Sequence, residues 1–331
     1  MKSFEDGKYI VSVTDSETGE VLMFDSYDNP SIISKAEQER NKKFYEMKTK
    51  QEEENIFTKK WQGSQGDFVW YKYMMGIKPE YQDKLILADY ARLMVLATYL
   101  DYSKDGAAAN RLVDDTGRPL RRHQIVYEMR LTYNRVKPFF KALMDNDILY
   151  PIEGVKDEWA LNPDIFLRGR LSEDMRKTLA DEYKTVIRLY IKGIRNIFMR
   201  VQGRQIKLLA YLFYLIPYTN KKYNILCSNP LETNLEDIKP LRFVDCCRII
   251  GYSEKHYDRL FGELMSIIVA VDGKDQSVIS CVGNGHDAKT KSNYRLFVNP
   301  NIFYAGDYKD WNTVAILGKF SEVAEKENKE D

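Results

Sequence analysis

The sequence predicts a mainly α protein with small β-hairpins, an α+β fold of tandem winged helix-turn-helix domains joined by a helix. Three observations predict it: a long internal repeat, the order of elements inside each copy, and an Asn-Pro-x-Ile-Phe ending that closes both. Internal repeats outrank local motifs when a fold is read from a sequence.

Residues 119–144, PLRRHQIVYEMRLTYNRVKPFFKALM, align without a gap on residues 240–265, PLRFVDCCRIIGYSEKHYDRLFGELM. Pro119, Leu120, Arg121, Phe140, Leu143 and Met144 meet Pro240, Leu241, Arg242, Phe261, Leu264 and Met265. Upstream, Arg92, Leu93, Tyr99 and Leu100 pair with Lys207, Leu208, Tyr214 and Leu215. Downstream, Asn162, Pro163, Ile165 and Phe166 correspond to Asn299, Pro300, Ile302 and Phe303.

Each copy reads as an apolar helix, a connector, a short helix opened by Pro-Leu-Arg, a turn and a second helix. Thr132 and Ser253 stand where an N-cap belongs, because a hydroxyl there can accept from the first free backbone donors. Phe139, Phe140, Leu143 and Met144, like Leu260, Phe261, Leu264 and Met265, recur at three and four residues and predict one buried helix face. Two β-prone stretches follow, a hairpin. The second helix of such a turn is the one that enters a major groove of DNA.

From the N-terminus, residues 1–28 predict a β-hairpin, residues 29–60 a charged helix or linker, and residues 61–171 the first winged-helix domain. The aromatic stretch 61–73 reads as core packing against that domain. Residues 172–202 predict a linker helix, whose Arg188, Lys192, Arg195 and Arg200 form a solvated or phosphate-following row. Residues 203–312 predict the second domain and 313–331 an acidic tail.

With 331 residues, 44% of them hydrophobic and 13% aromatic, the chain can bury substantial cores. No apolar run is long enough to span a bilayer and the first residues lack a signal-peptide core, so a cytoplasmic location is expected. The four cysteines show no paired framework. A net charge of +1 gives no general attraction to nucleic acid, so DNA binding must rest on local charge.

That local charge is found in the first copy. Arg118, Arg121, Arg122, Arg130, Arg135, Lys137, Lys141 and His123 stand there against the single acid Glu128. Thr132, Tyr133, Asn134, Arg135 and Lys137 are the candidate groove-facing residues, since Asn can pair with adenine and Arg with guanine through two hydrogen bonds. In the second copy the candidates are Arg242, Ser253, Lys255, His256 and Arg259, with Lys289, Lys291 and Arg295 on a longer wing.

No glycine-rich phosphate loop, closely spaced histidine pair or standard zinc spacing is present, so no enzymatic activity, metal or cofactor is expected. His256-x-x-Arg259 followed by His286 and Tyr294 resembles the basic residues and nucleophile of tyrosine recombinases. Its overlap with the repeat favours the DNA-binding alternative.

Thr18-Gly19-Glu20-Val21, the apolar helix, the helix-turn-helix and Leu161 to Gly169 together resemble the winged-helix replication and maintenance proteins of Gram-positive plasmids and phages. The resemblance covers roughly residues 8–170 and departs at the second copy. It implies sequence-specific binding of double-stranded DNA, as a replication initiator or transcriptional regulator of a phage or plasmid. Host replication or transcription proteins and a second copy of the chain are candidate partners, and no membrane is. A protein-interaction module built from decayed winged helices is the reading outside DNA binding.

Overall fold

Alternating apolar and polar residues between 8 and 25 favour extended backbone, because successive side chains of a strand point to opposite faces. In the computed structural model, which describes residues 2–5, 8–14, 21–27, 40, 42–48, 67–102, 110–169, 184–283 and 294–320, three strands lie here. They are β1 (Lys2–Glu5), β2 (Lys8–Thr14) and β3 (Val21–Tyr27), one antiparallel sheet in the order β1-β2-β3. The sheet and the helical residues 42–48 belong to a unit spanning residues 1–61; the repeats lie in a second unit, residues 62–331.

The second unit begins with β4 (Phe68–Met74), whose Val69 and Tyr71 are fully buried. The first repeat continues through α1 (Leu87–Leu96), α2 (Arg122–Glu128), α3 (Tyr133–Met144), the hairpin β5 (Leu149–Pro151) and β6 (Trp159–Leu161), and β7 (Phe166–Leu167). Then β8 (Lys184–Tyr190) and α4 (Ile191–Arg200) lead into the second repeat. That repeat comprises α5 (Ile206–Tyr214), α6 (Phe243–Ile250), α7 (Tyr257–Met265), two antiparallel strand pairs and β13 (Phe303–Tyr304). The pairs are β9 (Ile268–Val271) with β10 (Lys274–Ser277) and β11 (Ile279–Gly283) with β12 (Tyr294–Val298). A last helix, α8 (Trp311–Leu317), follows.

The repeats do not stand apart. Strands β4 and β8 pair antiparallel with Trp70 opposite Arg188, in a four-stranded sheet ordered β13-β8-β4-β7. Tyr71 and Trp70 face Phe166 and Leu167 as Leu189 and Arg188 face Phe303 and Tyr304, so a local two-fold passes between β4 and β8. At that centre the Arg188 guanidinium lies 5.4 Å from the Trp70 ring centroid. Helices α1 and α5 pack on each other, and one hydrophobic core runs through both repeats.

This overturns the expected tandem winged helix-turn-helix domains joined by a helix. The described residues of the second unit form an α+β arrangement of helices and several small antiparallel sheets, and the described part of the expected linker helix is strand β8 followed by α4. The physical reason is edge satisfaction: β4 and β8 are each covered on both sides only when they pair with one another, which draws the two halves into one sheet. Among the described residues no helix is long and apolar enough to cross a membrane.

Inside each half an asparagine does the same work. Asn110 and Asn224 are buried at positive φ, +32° and +55°. Asn110 Nδ2 donates to the carbonyls of Leu161 (2.6 Å) and Phe166 (3.0 Å); Asn224 Nδ2 donates to those of Val298 (3.0 Å) and Phe303 (2.9 Å). These acceptors occupy equivalent places around the two Asn-Pro-x-Ile-Phe segments. Asparagine is among the few residues other than glycine that tolerate this backbone region, and its amide satisfies carbonyls that the turn would otherwise leave bare.

Candidate nucleic-acid interface

Helices α2 and α3 meet across a tight turn that depends on Arg130, whose φ is +50°. The Arg130 side chain does not reach outward. Its guanidinium donates to the carbonyls of Val201 (2.7 Å) and Met199 (3.0 Å) and lies 5.0 Å from the Phe198 ring centroid, tying the turn to the C-terminus of α4. Unsatisfied carbonyls at a helix end are a natural partner for arginine.

Several other basic residues are similarly committed. Arg135 is ion-paired with Asp89, a carboxylate buried on α1 that also holds Arg92 at 3.1 Å. Arg121 donates to the Lys156 carbonyl (2.6 Å) and sits 3.5 Å from Glu158, fastening α2 to the β5–β6 loop. Arg118 is 3.6 Å from Asp114, and Lys141 pairs with Asp145. The row expected on the linker is dispersed: Arg188 lies in the sheet, Arg195 donates to the Thr98 carbonyl and pairs with Asp115, Arg200 pairs with Asp275, and Lys192 is exposed.

What remains is a set of exposed side chains on the two helices. Arg122, His123 and Tyr127 on α2, with Tyr133, Asn134 and Lys137 on α3, are exposed. Arg122 leans on the Phe140 ring at 4.8 Å, and neither it, His123 nor Lys137 forms an ion pair among the described residues. Thr132 sits at the N-cap of α3, exposed and without a side-chain capping bond, so its hydroxyl is open to solvent. Helix α3 continues through Pro138, which lies on its exposed side.

The second repeat is closed by comparison. Arg242 grips Asp245 through two bonds (2.8 and 3.0 Å), Arg248 bonds Asp245 and Glu254, and Arg259 pairs with Glu263 at 2.9 Å. Hydrogen bonding from Arg242 holds the Asp245 carboxyl below its usual range. Ser253, Lys255 and His256 stay exposed, while Arg295 turns to the Leu235 carbonyl at 3.1 Å. Lys289 and Lys291 lie outside the described residues, as does His286.

Of the recombinase-like set, His256, Arg259 and Tyr294 are among the described residues. Tyr294 is buried, stacked on Phe243 at 4.9 Å, and its hydroxyl accepts the Phe243 amide at 2.8 Å, so it does not face solvent as a nucleophile. Burial raises its hydroxyl pKa further. Among the described residues no group of three His, Cys, Asp or Glu side chains could hold a metal ion. Burial pushes the Cys227 thiol up to about 12 and the Cys247 thiol to about 11, which keeps both protonated near neutral pH.

The chain matches no protein-family model, no curated protein and no solved structure. Its own two halves are therefore the most informative comparison. At positions equivalent to Arg122, Lys137 and Lys141 the second repeat carries Phe243, Asp258 and Gly262. Sequence reading recognised the greater basicity of the first copy but not which cations were free. That information lay in acids and carbonyls far along the chain, at Asp89, Glu158, Met199 and Val201.

Proposed function

We propose that this protein binds double-stranded DNA in a sequence-specific way, with helices α2 and α3 of the first repeat as the principal contact surface. The observation that carries the reading is the asymmetry between the halves: the first keeps Arg122, His123 and Lys137 without an ion pair beside Asn134, while among the described residues the second neutralises Arg242, Arg248 and Arg259 within the chain and leaves Lys255 and His256. Arg122 and Lys137, exposed and without an ion pair, can neutralise phosphates, and an exposed asparagine amide can pair with an adenine edge. Arg130, Arg121 and Arg135 hold the helix pair in place rather than contacting DNA.

Replication initiation and transcriptional regulation both use such a surface. They are separated by where the site lies. Purified protein would be used to select fragments of the genome that encodes it, at two salt concentrations, alongside Arg122→Ala/Lys137→Ala. The expectation is one discrete site, bound less tightly by the variant, whose salt slope falls by roughly 2 as two phosphate contacts are lost. A site at an origin supports an initiator and one at a promoter a regulator; no enrichment by the wild-type chain overturns the proposal.

A further inference from the structure

Two tyrosines flank the turn between α2 and α3. Tyr127 is 80% exposed and Tyr133 is 93% exposed. Among the described residues neither ring stacks on another, covers a cation or makes a side-chain hydrogen bond. Two large aromatic side chains left open beside one turn present ring faces that no contact among the described residues uses.

The second repeat supplies the contrast. Its residues at these two places are Arg248 and Glu254, which bond each other through two pairs of atoms at 3.1 Å. The two positions are therefore within side-chain reach across the turn in the second half, where they satisfy one another. In the first half the same pair of positions carries two phenol rings with nothing on them, with exposed His123 one helical turn before Tyr127 and exposed Lys137 one turn after Tyr133.

The chemistry of these exposed side chains selects a ligand. A cation-lined surface with open rings suits a polyanion that also offers flat π faces, which is the description of a nucleic-acid strand. In an intact duplex the base faces are covered by their neighbours and only the edges are presented. Edge reading needs forked donors, and of the two on the early part of α3 Arg135 is bound to Asp89, leaving Asn134. The exposed ring area thus exceeds what edge reading uses. It matches the faces of unstacked bases.

We infer that Tyr127 and Tyr133 form a stacking site for unpaired nucleotides, so that this face holds single-stranded DNA as well as duplex. The inference rests on the proposed DNA-binding surface and adds a second ligand state to it: bases opened next to the bound duplex are captured on the two rings while Arg122, His123 and Lys137 hold the phosphates. No covalent step is involved.

The test uses the full chain and fluorescence anisotropy with two probes. One is a labelled oligothymidylate about 20 nucleotides long, longer than the roughly 4–16 nucleotides that an OB-fold single-strand site covers. The other is a duplex carrying the site selected by the protein. Tyr127→Ala/Tyr133→Ala is expected to weaken oligothymidylate binding about tenfold or more, and to weaken it at least about threefold more than it weakens duplex binding. Tyr127→Phe/Tyr133→Phe keeps the rings and is expected to retain single-strand affinity. Because neither ring packs into the core, both variants should keep the wild-type circular dichroism spectrum. Duplex binding without oligothymidylate binding overturns this inference alone, as does an equal loss on both probes. Binding of neither probe by the wild-type chain overturns the DNA-binding proposal itself.

Discussion

Asp89 is the residue whose removal tests the architecture most directly. Its side chain is 2% exposed and it holds two arginines, Arg92 at 3.1 Å and Arg135 from the candidate recognition helix. In Asp89→Ala the Arg92 guanidinium, itself 10% exposed, keeps its charge but loses its counter-ion. Its remaining bond is from Nε to the Met129 carbonyl at 2.8 Å. Breaking a buried pair in this way costs about 3–5 kcal/mol. The lower end applies, since Arg135 is about a third exposed and can turn to water. A loss of about 3 kcal/mol lowers the melting temperature by roughly 6–10 °C for a unit of this size. Thermal unfolding followed by circular dichroism reads the shift, and urea titration gives the free energy. Asp89→Ala/Arg92→Met should recover about 1 kcal/mol or more, because an apolar replacement removes the stranded charge. A single-variant loss below about 1 kcal/mol, or no recovery in the double variant, would refute the assignment of Asp89 as a buried anchor.

Three further outcomes follow from the same geometry. Asn110→Ala and Asn224→Ala each strip two buried carbonyls of their donor and strain a positive φ, so each should cost about 2–4 kcal/mol in urea titrations; a loss under about 1 kcal/mol at either site would contradict the equivalence of the two halves. Gly193 on α4 packs against the Asn301 backbone so closely that an added Cβ would overlap its carbonyl oxygen, and Gly193→Ala should lower the melting temperature by at least several degrees, whereas Gly262→Ala, which meets nothing, should not. The Asp245 carboxyl is held below its usual range, first by hydrogen bonding from Arg242. Its contribution to stability is therefore present above about pH 4 and lost as pH falls through the depressed folded value, so Arg242→Ala should show a shallower acid loss of stability than the wild type in chemical denaturation between about pH 5 and pH 2.

Much of the local order was legible along the chain. Helices α3 and α7 follow from apolar residues at three and four residue intervals, because a helix face is defined by neighbours within a few turns, although Met144 and Met265 at the end of that face are exposed. The turn at Gly251 was marked by a residue that adopts φ of +71° without strain. The repeat itself needed only self-comparison. Asn110 and Asn224 were a signal that self-comparison could have found, since each opens a four-residue segment with leucine at its third place, Asn-Arg-Leu-Val and Asn-Ile-Leu-Cys. Their role was hidden because an asparagine in a connector reads as a turn residue until its distant acceptors are known.

By itself, then, the sequence determined that this protein is built twice from one plan, and that the first copy is the more basic. Only the tertiary structure decided that the copies are fused through β4 and β8, since antiparallel pairing of strands so far apart depends on edges and cores that no local pattern encodes. It also decided which cations face solvent. Arg122 and Lys137 remain open while Arg121, Arg130 and Arg135 are drawn to Glu158, Met199, Val201 and Asp89, because a charged side chain is positioned by partners brought near in space and not by its neighbours in the chain.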